Sequence, residues 1–62
     1  MTPEQDERIR KLRHDLSSPL SAILAETQLL LLGADQYDDE TTTSLREIES
    51  LARRMREMLQ AG

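Results

Sequence analysis

From Ile9 onward an apolar side chain or a threonine returns every third or fourth position: Ile9, Leu12, Leu16, Leu20, Ile23, Thr27 and then Leu30 or Leu31. Alternating steps of three and four keep one face of an α-helix apolar in a heptad-like seam. Pro19 falls inside this stretch. A proline in a helix interior removes a backbone donor, clashes with the preceding turn and costs about 3 kcal/mol. A Ser-Pro pair often opens a new helix, with Ser18 as cap and Pro19 in the first turn. Two separate helices, however, have no reason to keep their apolar stripes in phase. Leu16 to Leu20 is a step of four and the pattern resumes without slip, so the spacing predicts one helix over about 3–32, kinked just before Pro19. The kink leaves the carbonyl of Asp15, four residues back, without its usual amide partner.

The ends of this helix are marked. Thr2 caps, Pro3 suits the first helical position, and Gln5 stands three after Thr2 to complete a capping box. Gly33 follows the leucine run as a terminator. A short polar loop, 33–39, then leads to a second helix over about 40–60, with Asp38 or Asp39 as its cap and Glu40 in its first turn at the positive end of the dipole. There Thr41, Leu45, Ile48, Ala52, Met55 and Leu59 form a second seam, flanked by Leu51 and Met58. Charged residues fill most other positions, and Glu49 to Arg53 is a favourable i,i+4 pair worth a few tenths of a kcal/mol.

Sixty-two residues form at most one small domain and bury too little apolar surface to be comfortably stable alone. The chain has no cysteine, so no disulfide or thiolate zinc site can staple it. It has no valine and one aromatic residue, Tyr37, against many Leu, Ile, Met and Ala, which favours helix over sheet. The expected fold is therefore all-α: an antiparallel helical hairpin whose uncovered seams pair with those of a second copy in a dimeric four-helix bundle.

Twelve acidic residues against eight basic ones give a formal net charge of −4, and no aromatics interleave the basic ones, so nucleic-acid binding is not expected. The longest apolar run, Leu29 to Leu32, is too short to span a bilayer, and no secretory signal pattern precedes it. The expectation is a cytoplasmic polypeptide without direct membrane contact, whose parent protein is free to carry a membrane anchor elsewhere.

His14, the only histidine, lies roughly 150° from the mean direction of the first seam at about 100° per residue, so it faces solvent and not the core. Arg10 lies one turn before it and Ser18 one turn after, with Ser17, Ser21 and Ala25 nearby. These small residues leave room for another protein surface to approach a projecting imidazole. A solvated histidine without a role is the plain alternative. An imidazole that is largely neutral at cellular pH can act as a nucleophile. Asp15 can orient the ring or take its proton, although adjacent helical residues do not normally face each other.

Other chemistries fit less well. A Ser-His-Asp hydrolase needs an oxyanion hole and a cleft. One histidine among scattered carboxylates is not a closed metal-ligand set. Asp35, Asp38 and Asp39 lack the spacing and the downstream glutamate of a calcium loop.

The stretch His14-Asp15-Leu16-Ser17-Ser18-Pro19-Leu20 resembles the H-box of sensor histidine kinases: His, then Glu or Asp, Leu, often Arg, Thr or Ser, Pro, Leu. Ser21-Ala22-Ile23 continues the likeness, as does the second helix with Ile48-Glu49 and Met55 to Leu59, so that residues 6–60 are covered. The resemblance implies a dimerisation and histidine phosphotransfer domain of two-component signalling. His14 would be the phosphoacceptor, taking the γ-phosphoryl of ATP and passing it to an aspartate in the receiver domain of a response regulator. Asp15 would help activate His14, Ser18 would stand where the family orients a water for regulator dephosphorylation, and Pro19 would match the kink.

Three residues depart from the usual form: Asp15 for glutamate, Ser17 for arginine, and Ser18 for threonine, which keeps the hydroxyl but loses the methyl that restricts its rotamer. Phosphotransfer tolerates these changes better than phosphatase activity does. No glycine-rich nucleotide motif occurs, so the chain is expected to bind no cofactor itself. ATP and magnesium would come through the separate ATP-binding domain of a parent kinase, and the chain reads as a fragment inactive with ATP alone. The rival class is a non-catalytic helical hairpin, a dimerisation or adaptor module in which His14 is incidental.

Overall fold

The computed structural model describes residues 1–60, and all regular structure among them is helical. The first helix, α1, spans Pro3–Leu32, and the second, α2, spans Asp39–Gln60. They pack against each other as a slender hairpin of 50 × 14 × 12 Å. Positions 61 and 62 of the expected domain lie outside the described residues.

The start of α1 is held by a reciprocal cap. The amide of Gln5 donates to the Thr2 hydroxyl at 3.2 Å, and the Thr2 amide donates to Oε1 of Gln5 at 3.1 Å. Two of the amides that a helix start leaves unpaired thus find side-chain partners. The helix then runs without interruption through Pro19. No new helix begins at Ser18. Pro19 is exposed.

Gly33 ends α1 without entering the left-handed region, with φ −102° and ψ 30°. The chain instead tightens into a 3-10 turn over Ala34–Gln36. Successive amides donate three residues back: Gly33 to Leu30 at 3.2 Å, Gln36 to Gly33 at 3.0 Å, and Tyr37 to Ala34 at 3.1 Å. Carbonyls that the end of α1 would leave unpaired are satisfied in this way. Extended backbone at Tyr37 breaks the turn. Asp38 then caps α2, its Oδ1 accepting from the Thr41 amide at 2.7 Å. Hydrogen bonds from the side chain and amide of Thr41 hold the Asp38 carboxyl below the usual carboxylate range, because they favour the charged form. Asp39 is the first residue of the helix proper.

The core is thin. Leu20, Leu24 and Ala52 are its buried apolar residues, with Leu59 packed against them. Thr27 is buried in line with the leucines, and its hydroxyl donates to the Ile23 carbonyl at 2.7 Å, so no polar atom is stranded. The expected seam on α1 therefore divides into two lines. Leu20, Leu24, Thr27 and half-buried Leu31 face α2, whereas Leu12, Leu16, Ile23 and Leu30 remain exposed. Leu24 belongs to the inner line although the sequence seam passed through Ile23 instead. On α2, Leu45, Ala52 and Leu59 face inward, and Ile48, Leu51, Met55 and Met58 are exposed.

The two outer lines share one side of the hairpin. Leu16, Pro19 and Ile23 of α1 line a shallow apolar groove of about 200 Å³ together with Met55 and the edges of Leu20 and Leu59. That groove also fixes the register, because it puts the last turn of α2 beside Leu16 and Leu20. The turns of α1 before His14 extend past Gln60, the last described residue of α2.

Candidate functional site

His14 is set where the hairpin gives way to the projecting part of α1. Its side chain is 89% exposed. On a helical projection it points almost directly away from Leu12, Ile23 and Leu30, the exposed apolar line, and is well off the direction of Leu24 and Thr27. A histidine so placed is held by nothing but its own helix, and its ring is open to an approaching surface.

Asp15 is the exception to that isolation. Its Oδ1 lies 3.6 Å from Nδ1 of His14, within ion-pair distance though longer than a hydrogen bond, and its side chain is 58% exposed. The carboxylate swings along the helix surface toward its neighbour. Asp15 therefore lies on the Nδ1 side of the ring, and Nε2 is the nitrogen farther from it.

The serines divide their tasks. The hydroxyl of Ser17 donates to the Arg13 carbonyl, one turn back, at 2.7 Å. Such back-bonding takes a hydroxyl out of service for ligands and favours a bend in the helix. Ser18 is exposed, and among the described residues its hydroxyl makes no hydrogen bond to protein. It is thus the serine with a free oxygen one turn after His14. Pro19 follows, and because it carries no amide hydrogen the Asp15 carbonyl has no i+4 donor. His14, Asp15 and Ser18 therefore occupy two consecutive turns of α1 as an open, solvent-facing shelf, whereas Pro19 lines the apolar groove on the other side.

Two features of this region escaped the sequence reading. One is the Ser17 bond to Arg13, for which a serine four residues after a carbonyl just ahead of a proline is the only sequence signal. The other is a shallow depression about five turns from His14, where Leu32, on the same side of α1 as His14, meets Gln28, Arg46 and Glu49. The Glu49–Arg53 pair expected from spacing is formed there, with Nη2 of Arg53 donating to Oε2 of Glu49 at 3.5 Å.

No group of three or more His, Asp or Glu side chains converges to hold a metal ion among the described residues. No helix among them is long and apolar enough to cross a membrane. No protein-family model matches the chain, and neither does any curated protein or any solved structure.

Proposed function

We propose that this chain is the dimerisation and phosphoacceptor domain of a two-component sensor histidine kinase. The observation that carries the reading is the setting of His14: a projecting ring with a carboxylate against Nδ1, one turn ahead of an in-helix proline. The exposed apolar groove on the other side of the hairpin supports the second half of the proposal, a homodimer closed as a four-helix bundle. Burying such a groove against its own copy leaves the His14 side open.

In this reading Asp15 keeps the proton on Nδ1 and the lone pair on Nε2. Nε2 attacks the γ-phosphorus of ATP, an N–P bond forms, and the bond to the bridging oxygen breaks with its electron pair leaving on ADP. The ring returns to neutrality by releasing the Nδ1 proton toward Asp15. In the second transfer an aspartate oxygen of a receiver domain attacks the phosphorus. The N–P bond then breaks and the imidazole takes a proton back. Regulator dephosphorylation, with Asp15 and Ser18 orienting a water, belongs to the same proposal. The nucleotide and its magnesium are assigned to the ATP-binding domain of the parent kinase, since these residues offer no cradle for phosphates. The reading places the domain in the cytoplasm, where ATP is present.

The test is phosphorylation by ATP in the presence of a histidine-kinase ATP-binding domain. Acid-labile, alkali-stable label on the wild type and none on His14→Gln is the expected result. Equal label on both, or on neither, would leave a hairpin whose role is association alone.

A further inference from the structure

The chain has no cysteine, so the thioethers of Met1, Met55 and Met58 are its only sulfur atoms. These are the groups on which a peroxide acts by oxygen transfer. None of them belongs to the inner packing, which Leu20, Leu24, Ala52 and Thr27 fill. On the exposed line of α2, Ile48 and Leu51 stand toward the loop. Met55 and Met58, 52% and 67% exposed, stand toward the end that packs beside Leu16 and Leu20.

Met55 is the methionine that lines the apolar groove, and its neighbours there are Leu16, Pro19, Leu20, Ile23 and Leu59. No side chain among these donates a hydrogen bond, and Pro19 has no amide hydrogen either. A sulfoxide at Met55 would put a strongly accepting oxygen onto that surface. In the separate hairpin the oxygen meets water, because half of the residue is exposed. Against a second copy bearing the same groove it would lose its water and find no donor, a cost borne by the paired state alone. Oxidation and pairing then oppose each other by linkage. Met58 lies outside the groove, so the same change there leaves the oxygen in water.

We infer that Met55 is a modification site at which a peroxide weakens the self-association of the hairpin, and that reduction of the sulfoxide restores it. The inference rests on the homodimer half of the proposed function and adds a chemical control to it. The Met55 sulfur attacks one oxygen of hydrogen peroxide. An S–O bond forms, the O–O bond breaks, and water leaves once a proton has passed to the departing oxygen. The sulfur is oxidised by two electrons and the peroxide is reduced by two. In the reverse step a dithiol supplies two electrons and two protons, the sulfoxide oxygen leaves as water, and the dithiol becomes a disulfide.

The test compares wild type, M58L, M55L and M55Q before and after hydrogen peroxide, with the excess removed by catalase. Peptide mass spectrometry locates each sulfoxide, and light scattering over a dilution series gives the dimer dissociation constant. In wild type and M58L that constant should rise at least about tenfold once Met55 is oxidised, and it should recover after treatment with a methionine sulfoxide reductase and dithiothreitol. M55L exchanges the thioether for an apolar group of similar volume and should stay within about twofold of its untreated value, although Met58 is oxidised. M55Q, which carries a polar amide from the start, should dimerise poorly without peroxide. Equal weakening in oxidised M55L, none in oxidised wild type, or no recovery once Met55 is reduced would each overturn the inference. A wild type that is monomeric before treatment would remove the dimer and this inference together. A dimer indifferent to the Met55 sulfoxide would remove the inference alone.

Discussion

Oδ1 of Asp15 stands 3.6 Å from Nδ1 of His14, although neighbouring side chains of a helix leave the axis about 100° apart. Contact across that angle requires the shorter acid to bend along the helix surface, and it fixes which ring nitrogen faces the carboxylate. Asp15→Asn keeps the shape and removes the proton acceptor. Phosphorylation at His14 should slow by on the order of 10²-fold, while helicity stays unchanged by circular dichroism. A rate within twofold of wild type would show that the pair is only a surface contact.

The two apolar lines should answer differently to substitution. Leu24, 4% exposed between the helices, should cost about 2–5 kcal/mol as Leu24→Ala, read from chemical denaturation. Ile23→Lys changes a side chain 51% exposed on the outer groove. It should lower the self-association measured by light scattering far more than it perturbs the inner packing. A dimer as tight in the Ile23→Lys variant as in the wild type would remove this groove from the proposed interface.

The cap of α2 carries a pH dependence whose sign follows from its hydrogen bonds. The Asp38 carboxyl is held below its ordinary value by Thr41, so the unfolded chain binds the proton more readily than the folded one. The cap's contribution is therefore present above the unfolded carboxylate range and lost as pH falls through the lower folded value. Asp38→Ala should lower the thermal midpoint at pH 7 and flatten its decline between about pH 5 and pH 2. An unchanged acid profile would show that the bond to Thr41 does not survive in solution.

Pro19 lies in an unbroken helix, exposed on the edge of the apolar groove. Pro19→Ala restores the missing amide hydrogen and should raise stability by up to about 3 kcal/mol. If the proline serves His14, phosphotransfer or regulator dephosphorylation should fall in the same variant. A protein neither more stable nor less active would leave Pro19 without strain or role.

Much of the backbone was readable from sequence because its signals are local. Thr2, Pro3 and Gln5 specify a helix start by bonds that span a single turn, and Asp38 caps α2 by the same means. The passage of α1 through Pro19 was legible from phase alone. What phase could not resolve was which apolar line faces the partner helix, since residues three and four apart spread across a wide arc. Leu24 is buried and Ile23 is not, because α2 approaches α1 from one edge of that arc. The exposure of His14 was readable for the same reason, being far outside the arc. The reach of Asp15 depends on a rotamer, which a single sequence does not state.

The slightness of the inner packing has a kinetic meaning. With Leu20, Leu24, Ala52 and Thr27 as the only buried residues among those described, the hairpin lacks the interior that lets a chain of this length fold as an isolated unit. If a second copy supplies the rest, folding becomes a second-order process: refolding speeds up with concentration, and dilution itself unfolds the protein. The amount of this chain in a cell would then set what fraction of it has a structure at all.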